Sequence, residues 1–94
     1  MLFAIWCEDR MPSAALRREA RPAHLARLEQ LVSEGRLRLA GPTPLPGSDT
    51  VDGSLIVADF EDLEAAQRWV DADPYCTAGV YERVVIKPFK LVLP

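Results

Sequence analysis

Apolar and polar residues follow different periods along the chain, and these periods predict where strands and helices lie. Residues 2–8 are an almost continuous apolar run that stops at the charged pair Glu8 and Asp9. Both faces of a strand built from this run are apolar, which is typical of a strand that is covered on both sides. We therefore predict that the first strand lies inside the protein.

Helix-forming residues extend over 13–34, with Pro22 among them. Proline fits the first turn of a helix but not its interior, because it lacks an N–H group and its ring crowds the preceding turn. We therefore expect a short helical turn around residues 13–20 and a main helix over 22–34. Gly35 supplies a C-terminal stop for that helix.

The second half of the chain returns to the strand period and contains one more helical stretch. Asp62 is a suitable N-cap for that helix, and Pro88 within the last apolar stretch indicates an edge strand or a bulge. The first predicted segments are a half-buried strand over 36–40 that Gly41-Pro42 ends, a loop over 43–52 and a strand over 53–60. A helix follows from Asp62 to about Ala72, and its buried stripe consists of Leu63, Ala66, Trp69 and Val70. The chain then continues with a connector over 75–81, which has room for one helical turn, and a strand over 82–93.

The order of these segments is β-α-β-β-α-β, which predicts an α+β fold of the ferredoxin-like type. In that layout a four-stranded antiparallel sheet carries both helices on one face, and residues 1–94 form a single domain. The other face would leave apolar residues such as Trp6 and Ile56 in water. A second copy of the chain is the simplest cover, so we expect a homodimer.

Composition narrows the classes of function. The 94 residues are 49% hydrophobic and 27% charged, which is the balance of a globular domain, and their net charge of −3 argues against a nucleic-acid partner. The N-terminal apolar run is too short for a membrane span and lacks the basic start of a signal peptide, so we expect a cytoplasmic protein without a membrane partner. Cys7 and Cys76 match no redox or zinc spacing, and no metal site or Gly-rich phosphate loop is predicted.

His24 is the only histidine of the chain and the leading candidate for chemistry. It recurs with Leu28 and Leu31 at i, i+4 and i+7, which places it on the edge of an apolar helix face. Its side chain titrates near neutral pH and can therefore act as a general acid or base. The alternative is a histidine at the edge of the core whose ring hydrogen-bonds a backbone carbonyl.

Asp73, in Asp73-Pro74, is the second candidate, because a carboxylate at the end of the second helix can reach the same pocket as His24. The alternative is a structural role, since Asp-Pro commonly opens a turn and ends a helix.

Three further residues are candidates for substrate binding, each beside a structural alternative. Arg21 lies three residues before His24 and can bind a carboxylate or phenolate, or else face solvent. Ser54 can offer a hydroxyl to the pocket or be a satisfied strand serine. Tyr75 can line an aromatic pocket or serve packing alone, as can Tyr81. Cys76 ranks last as a nucleophile because no base lies near it in the sequence.

Short motifs are spread along the whole chain. They are Arg21-Pro22-Ala23-His24-Leu25, Glu34-Gly35-Arg36-Leu37, Ala40-Gly41-Pro42, Gly53-Ser54, Leu63-Glu64-Ala65-Ala66, Asp71-Ala72-Asp73-Pro74-Tyr75, Ala78-Gly79-Val80 and Lys87-Pro88-Phe89. In their order and spacing these motifs resemble the YciI-like (YCII-related) family. The resemblance implies a dimeric α+β barrel, two ferredoxin-like sheets packed face to face, and a pocket whose family histidine and aspartate fall on His24 and Asp73.

The family is similar to muconolactone isomerases and to a dehydrochlorinase of chlorinated hydroxyquinones. The resemblance thus favours a cofactor-independent isomerase or lyase that uses a His/Asp acid-base pair on a small organic acid or a cyclic enol or phenol. The alternative is a dimeric module that binds a small metabolite without turning it over, and a weaker one is an accessory protein with no ligand.

Overall fold

The chain forms four strands and three helices, and a computed structural model describes all 94 residues. None of the helices is both long and apolar enough to cross a lipid bilayer. In chain order the elements are β1 (Leu2–Asp9), α1 (Ala14–Ser33), β2 (Leu37–Pro44), β3 (Val51–Asp59), α2 (Leu63–Asp71), α3 (Pro74–Thr77) and β4 (Tyr81–Phe89).

The strands form one antiparallel sheet in the order β2-β3-β1-β4, which confirms the predicted ferredoxin-like layout. Ile5 of β1 lies opposite Ile56 of β3 and Ile86 of β4, so these three side chains share one face. Helices α1 and α2 cover that face and contribute Leu31, Ala66 and Val70 to its buried core. The alternation of buried and exposed positions along β1 therefore sets which residues reach the helices.

The expected exposure of Ile56 was wrong, because its register with Ile5 directs it to the helix side, where it is buried. The open face instead carries Trp6, which is 43% exposed and lies opposite Leu55 and Val85. The prediction that apolar residues lie on this face is therefore correct for Trp6 and wrong for Ile56.

All three strand prolines, Pro42, Pro44 and Pro88, lie on the edge strands β2 and β4, where a missing N–H group interrupts no central ladder. Pro88 is in β4, as its position predicted. Pro42 was expected to end β2 but is paired with Ser54 inside it, so β2 continues to Pro44. The predicted loop over 43–52 is consequently shorter and spans 45–50.

Helix α1 is continuous from Ala14 to Ser33, so the expected break before Pro22 was wrong. An interior proline costs about 3 kcal/mol in an isolated helix, chiefly through one lost hydrogen bond and a clash with the preceding turn. Pro22 is exposed, so water can reach the backbone carbonyl that it leaves unpaired. Side chains of α1 also bind the rest of the protein on both sides of Pro22, through Arg17 and His24.

The ends of the other elements follow their sequence signals closely. Gly35 has φ 71° and ends α1 as predicted, with the Arg36 N–H bonded to the Leu31 carbonyl. Asp62 caps α2 by accepting from the Ala65 N–H at 2.8 Å. Two details differ: Leu63 is half exposed rather than part of the buried stripe, because it opens the helix at its solvent end, and the last strand stops at Phe89 instead of residue 93.

Gly53 of β3 has atoms of both neighbouring strands, β1 and β2, close to its α-carbon. A β-carbon at this position would overlap the Cys7 carbonyl oxygen and lie 2.8 Å from Oγ1 of Thr43. Gly41, on the edge strand β2, has no atom within 4 Å of its own β-carbon position.

We therefore expect Gly53→Ala to lower the free energy of unfolding by about 1 to 3 kcal/mol, the usual cost of overpacking. Gly41→Ala is the matched control and should leave stability nearly unchanged. Urea denaturation of both variants measures the difference. Equal stability of the two variants would show that the strands can separate to admit the extra carbon.

Candidate active site

Helix α1 presents His24 to the interior. His24 is 6% exposed and Leu31 is 2% exposed, and Leu28 packs against the core between them, as the i, i+4, i+7 spacing predicted. The same face continues toward the start of the helix through Arg21 and Arg17, because these lie one and two turns before His24. One helix face thus carries both the histidine and two cations.

Asp73 lies at the turn between α2 and α3 and is 1% exposed. Its extended backbone and the Pro74 that follows place it as the N-cap of α3, and its Oδ1 accepts from the Tyr75 N–H at 2.9 Å. Asp73 therefore caps a helix, which is the kind of structural role considered for it. This capping role is compatible with contacts between the same carboxylate and the pocket.

His24 and Asp73 are in direct contact: Nδ1 of His24 lies 2.7 Å from Oδ1 of Asp73. The other carboxylate oxygen, Oδ2, accepts from Nη1 of Arg27 at 3.0 Å. A carboxylate that faces a guanidinium and a backbone N–H is stabilised in its charged form, so the imidazole nitrogen beside it must donate. Nε2 makes no hydrogen bond to the protein and is the ring nitrogen free for a ligand.

Tyr75 holds the other side of the imidazole. Its ring stacks on His24 with centroids 3.9 Å apart and an interplanar angle of 11°. Tyr81 meets Tyr75 edge-on at 5.9 Å. Burial raises the pKa of both phenols, so both hydroxyls stay neutral at physiological pH. Tyr75 fixes the ring and lines the pocket, and Tyr81 packs against Tyr75 behind it.

Arg17 and Asp9 form a second buried ion pair that the sequence analysis missed. Nε of Arg17 lies 2.7 Å from Oδ2 of Asp9, and the Asp9 side chain is fully buried. Ser13 donates to the same carboxylate at 2.6 Å. Two signals could have revealed this pair: Asp9 continues the inward-facing alternation of β1, and Arg17 shares the helix face of His24.

Ser54 is brought to the site but is already engaged. Its hydroxyl accepts from Nη2 of Arg17 at 2.9 Å, and the same nitrogen donates to the Gly53 carbonyl at 2.9 Å. Ser54 is therefore a satisfied strand serine at the wall of the pocket. Arg21 also reaches the pocket but is exposed and makes neither an ion pair nor a side-chain hydrogen bond.

A cavity of about 200 Å³, here called the inner cavity, opens beside these residues. It combines apolar walls from α1 and the sheet with the polar groups of His24, Ser54, Arg17 and Arg21. A cavity of roughly 150 Å³ holds a benzene molecule, so this one suits a single substituted ring. Its lining residues are Arg17, Arg21, His24, Leu25, Leu28, Ala40, Gly41, Pro42, Ser54, Ile56 and Tyr75.

Neither cysteine has the properties of a nucleophile. Burial raises the pKa of Cys7 to about 12, and burial together with nearby carboxylates raises the pKa of Cys76. Both thiols are free and stay protonated at neutral pH, where the thiolate would be needed. No three side chains of the metal-binding types converge anywhere in the chain.

Comparison with known proteins places this site in a family context. The sequence matches the YCII-related domain over residues 1–90. Protein YciI of Escherichia coli O6:H1 is 54% identical over 97 aligned positions, covering 98% of this chain and 99% of that protein. An uncharacterized protein of Haemophilus influenzae is 43% identical over the same shares of the two chains. The predicted resemblance is confirmed.

A solved enzyme shares the fold closely. It is the 5-chloro-2-hydroxyhydroquinone dehydrochlorinase TftG of Burkholderia phenoliruptrix, in complex with 2,5-dihydroxybenzoquinone. The two chains superpose with a TM-score of 0.87 at 30% sequence identity, over 96% of this chain and 94% of the enzyme.

Arg27 is expected to stabilise the fold through Asp73. Arg27→Met removes the guanidinium beside the Asp73 carboxylate, which is 1% exposed and would then lose a charge-assisted hydrogen bond. The free energy of unfolding should therefore fall by about 1 to 3 kcal/mol, the usual cost of leaving a buried polar group without a partner. Urea denaturation measures the change.

Arg36→Met is the matched control. Arg27 stacks on Trp69 at 4.5 Å and donates to the Trp69 carbonyl, and Arg36 likewise stacks on Phe60 at 5.2 Å and donates to the Asp59 carbonyl. Only Arg27 touches Asp73. Equal free energies of unfolding for Arg27→Met and Arg36→Met would show that the ion pair with Asp73 does not stabilise the fold.

Proposed function

The chain belongs to the YCII-related family, and from this premise we propose that it is a cofactor-independent enzyme in which His24 transfers protons and Asp73 orients its ring. One observation carries the proposal: the buried carboxylate of Asp73 lies 2.7 Å from Nδ1 of His24, and His24 lines the inner cavity. The other ring nitrogen, Nε2, therefore remains free for a ligand.

The substrate class follows from the size and lining of the inner cavity. A space for one ring, apolar walls and a nearby guanidinium suit a cyclic enol or phenol whose oxygen becomes negative during the reaction. The ligand of TftG is a ring of this kind, a dihydroxybenzoquinone. At 30% identity over almost the whole chain, that enzyme supports a related substrate class for this protein.

The reaction class follows from a base that can also return its proton. Neutral His24 accepts a proton at Nε2 from an oxygen or carbon of the substrate, and the released electron pair forms a double bond in the ring. If a halide leaves with its bonding pair, the net change is loss of one HX. If the imidazolium instead returns the proton to another carbon, the net change is isomerisation.

Asp73 contributes in both cases by holding its charge beside the ring. It keeps the proton on Nδ1 and stabilises the imidazolium that forms when Nε2 accepts a proton. Tyr75, stacked on the imidazole, restricts its rotation. Such restriction keeps Nε2 in one position relative to a bound substrate.

A binding module without turnover is the second candidate. Arg17 and Ser54 are already engaged with protein partners, and Nε2 of His24 and the side chain of Arg21 remain as unpaired polar groups at the inner cavity. Two such groups suffice to recognise a small metabolite. The free thiols suit a reducing compartment, so we propose a cytoplasmic location for either function.

The enzyme proposal predicts that His24→Ala keeps the fold and lowers turnover by roughly 10²-fold or more, the usual scale for a lost general acid-base. The assay follows chloride release and quinone absorbance with 5-chloro-2-hydroxyhydroquinone. Added imidazole should restore part of the activity, because a small base can enter the space that the side chain vacates. Thermal unfolding of the same preparation serves as the control for folding.

The outcomes separate the two candidates. Full turnover in His24→Ala would end the catalytic role of this residue. Binding of the ring compound by the wild-type protein, without chloride release or any other conversion, would favour the binding module. A variant that is inactive, unfolds at a lower temperature and does not respond to imidazole would assign His24 a structural role.

We also propose that the protein is a homodimer formed through the open sheet face. Trp6, Leu39 and Phe89 are each at least 41% exposed, and Trp6 and Phe89 lie on that face by their register in β1 and β4. Burial of such an apolar surface at 25 cal/mol per Å² is a strong drive for association.

Light scattering should therefore give about twice the monomer mass for the wild-type chain at micromolar concentration, and Trp6→Glu should give a monomer. Leu63→Glu is the matched control, because Leu63 is an apolar residue of similar exposure, 50%, on α2, which packs on the opposite sheet face. Retention of the dimer in Trp6→Glu, or its loss in Leu63→Glu, would place the interface elsewhere.

A further inference from the structure

A second and larger space adjoins the inner cavity. This outer groove, of about 690 Å³, lies between the first half of α1 and the turn that joins β2 to β3. Arg17, Arg21, Pro42 and Tyr75 line both spaces, so the two adjoin at these residues. A ligand whose ring occupies the inner cavity therefore lies beside side chains that also border the outer groove.

The outer groove contains positive charge that no protein group neutralises. Arg17 is paired with Asp9, but Arg18 and Arg21 make no ion pair or side-chain hydrogen bond. Asp49 is the acidic residue that lines the groove, and it too is unpaired. Two free guanidiniums against one carboxylate leave an excess of one positive charge, although the whole chain has a net charge of −3.

Arg21 occupies the junction between the two spaces. It lies on the same helix face as His24, three residues and about 4.5 Å of helix rise away. Its positive charge acts on the Tyr75 hydroxyl and opposes the effect of burial on the pKa of that phenol. An anionic group bound to Arg21 would therefore lie next to a ligand ring that contacts His24 in the inner cavity.

We propose that the outer groove is the binding compartment for a carboxylate-bearing arm of the ligand, held by Arg21 and Arg18. This inference rests on the proposed function and makes it more specific, because the ligand is then a ring with an acidic side chain of several atoms. Guanidinium groups bind carboxylates through paired, charge-assisted hydrogen bonds, which is the chemistry that two unpaired arginines offer.

The experiment compares two probes that differ only in the arm. Hydroquinone fills the inner cavity alone, and 3-(2,5-dihydroxyphenyl)propanoate adds a carboxylate on a two-carbon spacer. Titration of the isotope-labelled protein at millimolar ligand, followed by NMR, should show the propanoate binding on the order of 10-fold more tightly, as expected for one charge-assisted contact. The preference should shrink as salt is added.

Arg21→Gln should remove most of this preference, because it weakens propanoate binding more than hydroquinone binding, and Arg18→Gln should reduce the preference. Arg68→Gln is the matched control, because Arg68 is an exposed arginine on α2 that lines neither space. Equal affinity for the two probes, including failure of both to bind, overturns the proposal. A preference that survives both the Arg21 and Arg18 changes overturns it as well.

Failure of this inference is distinguishable from failure of the proposed function. His24→Ala should keep the preference for the propanoate, because the arm binds outside the reach of the imidazole. Turnover of ring compounds without a preference for the propanoate would leave the catalytic proposal intact. It would overturn only the inference that the ligand has an acidic side chain. A preference for the propanoate without any turnover would support the outer groove as the site for the arm, in a protein that binds its ligand without converting it.

Discussion

The buried carboxylate of Asp73 is the group on which the arrangement of the site depends. It caps α3 through the Tyr75 N–H, accepts from Arg27 and contacts His24, so one side chain joins α1 to the turn between α2 and α3. A charge at 1% exposure is costly unless its partners satisfy it. Here all three partners are in place. The position of Asp73 therefore determines where His24 lies.

A second buried carboxylate performs the same task at the other end of α1. Asp9 ends β1 on the inward face and is neutralised by Arg17 and Ser13. Arg17 and Arg27 are ten positions apart on one helix, so each anchors α1 to a different part of the protein. His24 lies between these two anchors. A helix fixed at two points can hold a catalytic side chain in place even though Pro22 interrupts its hydrogen bonds.

Much of the fold could be predicted because periodicity reports which residues face the core. The first strand and the stop at Gly35 were readable from the residues themselves. The residues also indicated that Asp73 could reach the pocket of His24, and the family resemblance strengthened that pairing. Pro22 and Pro42 misled the prediction of element boundaries, because local rules do not include the contacts that stabilise a helix or the fact that β2 is an edge strand. The ion pairs of Arg17 and Arg27 join residues 8 and 46 positions apart. Periodicity can indicate that Asp9 and Arg17 face inward, but it does not show that they meet.

The several roles of Asp73 also determine which residues can report on chemistry. Replacing Asp73 removes a helix cap, an arginine partner and a histidine partner together, so a loss of activity in such a variant has three structural explanations. His24 has a single hydrogen-bond partner, and its removal leaves Asp73 still bound to Arg27 and the Tyr75 amide. Loss of the imidazole therefore costs the fold less than loss of the carboxylate would. In this site several groups share the Asp73 carboxylate, so a change at His24 affects stability less than a change at Asp73. Variants of His24 therefore allow activity and stability to be measured separately.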